Sequence, residues 1–291
     1  MPITMNTTCV ECFMRKRLDQ ARQLGTDEQA TQVCKLLMRQ FADAPDSMDS
    51  AVFGNICDKI MCDFFGIDPD RMRQEKEMSN RFVLDRLESI RSRIEKAEDP
   101  IYAALQFAVL GNYLDFSALY GQVSFEDLDA MLDNALEMDL DKEQYARFLS
   151  DLKSARRFLY ITDNAGEICF DRLLAECLAE AYPRLEITFC VRGKPVSNDA
   201  TREDAQVAGI RFPIIDSGSG IGGTSLPLVN QQTRQAIENA DVILAKGMGN
   251  TESMYGCGYN VYYAFLVKCE RFMEFFQAPK MKPMFIRDKK A

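Results

Sequence analysis

From Phe158 onward the chain alternates short, continuously apolar runs with helical segments, and this rhythm restricts the fold more than any other feature. The runs are FLYIT, LEITFCV, FPIID, DVILA and YYAFLVKC. Between them lie helical patterns over Glu167 to Tyr182, Thr201 to Ala208 and about Val229 to Ala240. A strand that is apolar at every position is covered on both faces, and parallel strands need a crossover long enough to hold a helix. The pattern predicts an α/β fold: a mostly parallel, doubly wound, Rossmann-like sheet with helices on both faces.

The first half reads differently. Cys9 to Leu24 has apolar residues at i, i+3 and i+4 and stops at Gly25. Thr26-Asp27 caps a second helix through Phe41. After a turn at Ala44 to Ser47, a third runs to Phe65 and stops at Gly66. Asp68-Pro69 opens a long charged helix from Asp70 to about Lys96, and Asp99-Pro100 opens an apolar one that ends near Leu110-Gly111-Asn112. Ser124 with Asp127 resembles a capping box, followed by helices over about 125–138 and 141–154. The expected organisation is an all-helical subdomain over 1–155 and an α/β metal- and phosphate-binding domain over 156–291. The basic tail from Pro279 to Ala291 is expected to be partly frayed.

Composition removes several function classes. The 291 residues carry a net charge of -9, which argues against nucleic acid or an anionic membrane as the main partner. No run of 18 apolar residues is present, and the first residues lack the layout of a secretion signal, so a cytoplasmic protein is expected. Ten scattered cysteines, several in apolar runs, suit reduced thiols. Cys9 and Cys12 form a lone C-x-x-C; a metal role would need Cys57 and Cys62, or Cys34, as a second half. Histidine is absent altogether. That excludes Ser-His-Asp and Cys-His catalysis and leaves carboxylates, amides, Lys, Arg, Tyr, Cys or an oxygen-bound metal.

In an open parallel sheet, ligands bind beyond the carboxyl ends of the strands. After FLYIT come Asp163, Asn164, Ala165, Gly166 and Glu167. After LEITFCV come Arg192-Gly193-Lys194 and then Asn198-Asp199. Asp216 and a Gly/Ser run follow FPII; Lys246, Gly247, Met248, Gly249, Asn250 and Glu252 follow DVILA, and Lys268 follows YYAFLV. Asp163, Asn164 and Asp199 are hard oxygen donors suited to Mg²⁺, Mn²⁺ or a similar ion, and Lys246 has the charge to pair with a phosphate oxygen. Asp163-Asn164 and Asn198-Asp199 also stand where helix N-caps belong. Gly218 to Gly223 matches G-x-G-x-x-G by letter but follows the third strand, so a phosphate-cradling, lid or plain loop is expected rather than a dinucleotide fingerprint.

Together DNAGEICFDRLL, VRGKPVSNDAT and AKGMGNTES resemble the damage-control phosphatase family, formerly domain of unknown function 89. CVEC, Asp68 to Asn80 and LGNYLDF (Leu110 to Phe116) are similar to its microbial branch with an N-terminal cysteine pair. The resemblance implies a helical subdomain on an α/β domain, a divalent cation (Mn²⁺, Co²⁺, Ni²⁺ or Mg²⁺) and hydrolysis of phosphate monoesters of small metabolites, such as sugar phosphates or damaged phosphometabolites. It implies Asp163, Asn164 and Asp199 as metal ligands, with Asp163 and Lys246 catalytic. Asn112, Asp115, Glu167, Arg192, Gly247, Gly249, Asn250 and Glu252 would line the substrate phosphate. Where the family usually has Gln, Phe or Tyr, and often Cys, this chain has Met248, Thr251 and Ala165. An aspartyl-phosphate route is disfavoured because Ala165 breaks D-x-D-x-[TV]. Two alternatives of other classes are a carboxyl methyltransferase using S-adenosylmethionine and a non-catalytic sugar-phosphate or nucleotide-binding protein.

Overall fold

The structure, a computed structural model, describes residues 3–114 and 125–288. Helices α1 (Thr7–Leu24), α2 (Asp27–Ala42), α3 (Ser50–Phe65), α4 (Arg73–Leu84), α5 (Leu87–Glu95), α6 (Pro100–Leu110), α7 (Phe125–Asp133) and α8 (Lys142–Ser154) precede the first strand. Strands β1 (Arg157–Ile161), β2 (Glu186–Val191), β3 (Ile214–Asp216), β4 (Val242–Lys246), β5 (Val261–Leu266) and β6 (Pro283–Arg287) form one sheet in the order β3-β2-β1-β4-β5-β6. Helices α9 (Glu167–Ala181), α10 (Arg202–Val207), α11 (Gln231–Asn239), α12 (Gly247–Met254) and α13 (Glu270–Phe276) connect them. Strands β1 to β5 are parallel, and β6 runs antiparallel to β5. The expected α/β class and doubly wound order are both present. Among the described residues no helix is long and apolar enough to cross a membrane.

Strand alternation divides the sheet's two faces. Phe158, Tyr160, Leu244, Tyr262 and Leu266 face one core, with α6 and α9 over them. Leu159, Ile161, Ile243, Ala245 and Tyr263 face a second core, shared with Phe272 of α13. A third cluster, around Val33, Leu37 and Phe53, belongs to α1, α2 and α3 alone.

Local signals explain several helix ends. Thr26 and Gln29 form a reciprocal capping box on α2, Asp99 accepts from the Tyr102 N–H at 3.0 Å, and Gly66 ends α3 in the left-handed region at φ 66°. Two expectations are corrected. The charged helix from Asp70 is broken at Asp85-Arg86 into α4 and α5. The break lets α4 pack on α9 and α10 while α5 turns Ile90 and Ile94 toward α6. Arg86 fastens the joint by a fork onto Asp129 at 2.5 and 2.8 Å.

Of the tail expected to be partly frayed, the described residues 279–288 are ordered and carry strand β6. Met284, Phe285 and Ile286 form the centre of β6, where Phe285 stacks on Tyr262 at 5.7 Å. Three apolar residues between basic flanks gave too short a run to read as a strand. The flanks suit an edge, where charge discourages pairing with another sheet. The capping serine expected at 124 and the end of the motif at Asp115 and Phe116 lie outside the described residues.

Candidate functional site

The sheet order reverses between β1 and β4, so the crevice of this fold lies beyond the ends of those two strands. Register places Ile161 beside Ala245, which brings Asp163 and Gly247 together at the crevice floor. Their approach is close. A Cβ on Gly247, whose φ is 77°, would fall inside the Asp163 carboxyl group, so only glycine fits.

Backbone hydrogen bonds zip the β1 and β2 loops together. The Ala200 N–H donates to the Asp163 carbonyl at 2.7 Å, the Ala165 N–H to the Asn198 carbonyl at 2.8 Å, and Asn164 and Asp199 form an antiparallel bridge. Asp163, Asn164 and Asp199 are thereby brought to one place, each nearly or fully buried. None of the three caps a helix. The N-cap of α9 is Gly166 and that of α10 is Thr201.

Around Asp163 the side chains form a continuous network. Asn112 Nδ2 donates to Asp163 Oδ2 at 2.9 Å and to Glu167 Oε2 at 3.1 Å. Asn164 Nδ2 donates to the same two carboxylates, each at 2.8 Å. Asn112 Oδ1 accepts from the Leu266 N–H at 3.1 Å, which fixes which end of the amide faces Asp163. The short 3-10 turn Gly111–Leu114 supplies Asn112, so this part of the crevice wall comes from the chain before β1.

Lys246 does not face the crevice in the way expected from the sequence. It continues the alternation of Val242 and Leu244, so it points into the core beneath α6 and α9. There its Nζ donates to the Ala108 carbonyl (2.8 Å), Glu167 Oε1 (2.6 Å) and Asp171 Oδ1 (2.7 Å), and it is fully buried. An ammonium has three protons, and all three are engaged, leaving none for a phosphate oxygen. Burial pushes the Asp171 carboxyl up to about 6, Lys246 pulls it back, and Tyr160 donates to it at 2.7 Å. Burial lowers the Lys246 affinity for its proton, but Asp171 and Glu167 reverse this and leave its pKa above the ordinary value.

Arg192 lies on the other side of Asp163. Its Nε donates to Asp199 Oδ2 at 2.6 Å and its Nη1 to Asn250 Oδ1 at 3.0 Å. The remaining nitrogen, Nη2, is buried, has no hydrogen-bond partner, and sits 3.8 Å from Asp163 Oδ1, beyond hydrogen-bond reach. Asn250 is occupied on both ends: it accepts from Arg192 and Thr224 and donates to the carbonyls of Thr162 and Lys246. It orients Arg192 rather than facing the crevice.

Glu252 is placed elsewhere. Two residues along α12 from Asn250 is about 200° around the helix, and the side chain bonds to Ser50 at the start of α3. Burial pushes this carboxyl up to about 7, with Asp49 adding to the effect. Gly249 supports the loop rather than facing the crevice. A Cβ there would collide with the Gly222 carbonyl, because the 218–223 loop lies backbone-to-backbone on the start of α12. Asn55 of α3 donates to the Gly220 carbonyl from the other side. This glycine-rich run is therefore a packed support for α12. Asp115 lies outside the described residues.

Lys268 was named at a strand end but assigned no role. It follows β5 on the same alternation as Leu266 and is buried, with its N–H donating to Met248 Sδ at 3.3 Å. The signal was its position at a strand end. The Cys9-Cys12 pair starts α1, all ten cysteines are free, and no cluster of His, Cys, Asp and Glu with metal-binding geometry occurs among the described residues. Oxygen donors from Asn are outside that count.

The sequence matches the family described as the damage-control phosphatase ARMT1-like domain over residues 5–283. An uncharacterized protein of Methanocaldococcus jannaschii is 30% identical over 280 residues, 92% of this chain and 90% of that one. A protein named damage-control phosphatase from Pyrococcus horikoshii is 33% identical over 190 residues, 64% of each. Another so named, from Archaeoglobus fulgidus, is 28% identical over 271 residues, covering 90% and 91%. The crystal structure of a DUF89 family protein from Pyrococcus horikoshii superimposes with a TM-score of 0.82 at 26% identity, over 98% of this chain and 99% of that one.

Proposed function

The chain belongs to the damage-control phosphatase ARMT1-like family, and on that premise we propose that it hydrolyses phosphate monoesters of small metabolites with a divalent metal ion held by Asp163, Asn164 and Asp199. Sugar phosphates and damaged phosphometabolites are the substrate classes of this reading, and Mn²⁺, Co²⁺, Ni²⁺ or Mg²⁺ the ions. The observation that carries it is the buried Arg192 Nη2, which has no hydrogen-bond acceptor, beside the paired loops that bring Asp163, Asn164 and Asp199 together. A buried guanidinium nitrogen with no hydrogen-bond acceptor, beside hard oxygen donors, suits one phosphoryl oxygen, since a buried donor without an acceptor is costly to keep.

The donors fit such an ion: two carboxylates and an amide oxygen match the oxygen preference of these cations, and the chain has no histidine to compete. When bound, the ion would neutralise phosphoryl charge as the P–O bond breaks. The protein's own groups divide the remaining work. Arg192 Nη2 donates to a phosphoryl oxygen. Asn112 holds Asp163, and Asn250 holds Arg192, so both face the reacting group without reorganising. Lys246 acts at one remove, by fixing Glu167. The N–H groups at the start of α12, at Gly247 and Met248, lie where an anion is favoured.

Two further assignments belong to this reading. The boundary between helical and α/β parts falls at residues 155 and 156, supported by all six described strands lying beyond Arg156. A cytoplasmic setting is supported by the ten free cysteines.

The test is phosphate release from a panel of sugar phosphates and a chromogenic phosphate ester, with each of the four metals and with chelator. The reading predicts release that chelator abolishes and metal restores. Release that chelator leaves untouched, or methyl transfer from S-adenosylmethionine without phosphate release, contradicts it.

A further inference from the structure

We propose that Lys76 and Asn80 of α4 are positioning residues that set the spacing between the loop carrying Asp163 and Asn164 and the loop carrying Asp199. This rests on the metal-site reading above and extends it to a helix that contributes no ligand. The two residues are four apart, so they share one face of α4, and both are buried.

Asn80 joins the two loops directly. Its Oδ1 accepts from the Gly166 N–H at 2.6 Å, and its Nδ2 donates to Asp204 Oδ1 at 2.9 Å. Gly166 is two residues past Asn164. Asp204, in turn, closes the loop of Asp199. Its Oδ2 accepts from both the N–H and the hydroxyl of Thr201, each at 2.8 Å, two residues past Asp199. Lys76 Nζ completes the carboxylate's shell at 2.6 Å.

Gly166 also leaves no room for slippage. Its φ is 76°, and a Cβ there would lie 2.9 Å from the Ser79 carbonyl, so the β1 loop rests on the α4 backbone itself. One amide side chain and one carboxylate therefore fix the two loops against a common helix. The backbone zipper between the loops sets their pairing; the α4 contacts set where that pair sits. A metal site gains affinity when its donors are already in place, and loss of outer supports of this kind typically costs about 10- to 100-fold.

The experiment is calorimetric titration of Mn²⁺ into metal-stripped wild type, Asn80→Ala, Lys76→Met and the exposed same-helix control Arg81→Ala. The expected result is a dissociation constant raised about tenfold in Asn80→Ala and Lys76→Met, and unchanged in Arg81→Ala. In phosphate release, the Mn²⁺ concentration for half activity should shift by the same factor. Lys76→Arg, which keeps the charge on Asp204, should recover part of the loss. Thermal unfolding identifies any variant that does not fold, and the other then carries the test. Wild type that binds Mn²⁺ while the folded variants titrate identically overturns the positioning role alone. Wild type that binds none of Mn²⁺, Co²⁺, Ni²⁺ and Mg²⁺ in the same titration overturns the functional reading and this inference together.

Discussion

Two buried ionic groups meet at Gly166, which bonds to Asn80 of one and precedes Glu167 of the other, and they are built on different plans. On the α4 side, one carboxylate, Asp204, receives one cation, Lys76, plus the hydrogen bonds of Thr201 and Asn80. On the crevice side, four carboxylates (Asp163, Glu167, Asp171, Asp199) share two cations, Lys246 and Arg192, with Asn112 and Asn164 bridging. The first composition is what a structural tie requires, since a buried charge persists when it is paired and fully hydrogen-bonded. The second is rich in acceptors, the composition expected of a place that receives a cation. Proximity and burial are similar in the two; charge composition is what separates a tie from a site.

That contrast is open to test by substitution, and the largest effect should come from the crevice side. Asp163→Ala should lower metal-dependent phosphate release by about a thousandfold, near 4 kcal/mol of barrier, while denaturant unfolding shows a protein at least as stable as wild type. Near-normal activity in that variant would erase the functional half of the comparison.

Lys246→Met addresses stability. It leaves Glu167 and Asp171 buried without their shared cation, and removing one partner of such a group costs about 3–5 kcal/mol. Urea unfolding should show this loss. If activity fell with no loss of stability, Lys246 would be contacting substrate rather than fixing Glu167.

Arg192→Lys comes next in size. A lysine keeps the charge but has no planar fork to hold Asp199 and Asn250 while presenting a third nitrogen. The expected fall in kcat/KM is about 10- to 100-fold, roughly 1.4–2.8 kcal/mol. An unchanged kcat/KM would show that Nη2 binds no phosphoryl oxygen.

The smallest effect on activity concerns Glu252, outside both groups. Its carboxyl titrates near 7 when folded against an ordinary 4.5. The folded state thus holds its proton more tightly, and stability falls as pH rises from about 4.5 through 7. Glu252→Gln should remove that fall, a gain in stability present at pH 8 that vanishes by pH 4.5. A gain that persists at pH 4.5 would assign the effect to packing.

Much of this arrangement was legible in the residues. The apolar runs gave the sheet because strands covered on both faces have no polar side to show, and strand ends gave Asp163, Asn164, Arg192 and Asp199 because the fold sends its loops to one crevice. Side-chain direction was less legible. Lys246 follows a strand as Asp163 does, but alternation turns it into the core, and helical periodicity turns Glu252 away from Asn250. Both follow from period 2 or 3.6 once the end of the strand and the start of α12 are known to a single residue. Sequence pattern does not locate boundaries that finely. Lys76 and Asn80 were hidden for another reason: their partners are 128 and 124 positions away, and nothing local marks a charged helix residue as buried.

The central claim is that Asp163, Asn164 and Asp199 hold one divalent ion. Calorimetric titration of Mn²⁺ into metal-stripped wild type and Asp199→Ala tests it most directly. The account predicts one ion per chain in the wild type and its loss in the variant, with the variant still folded. Equal binding by both, or binding of none of Mn²⁺, Co²⁺, Ni²⁺ and Mg²⁺ by the wild type, would contradict it.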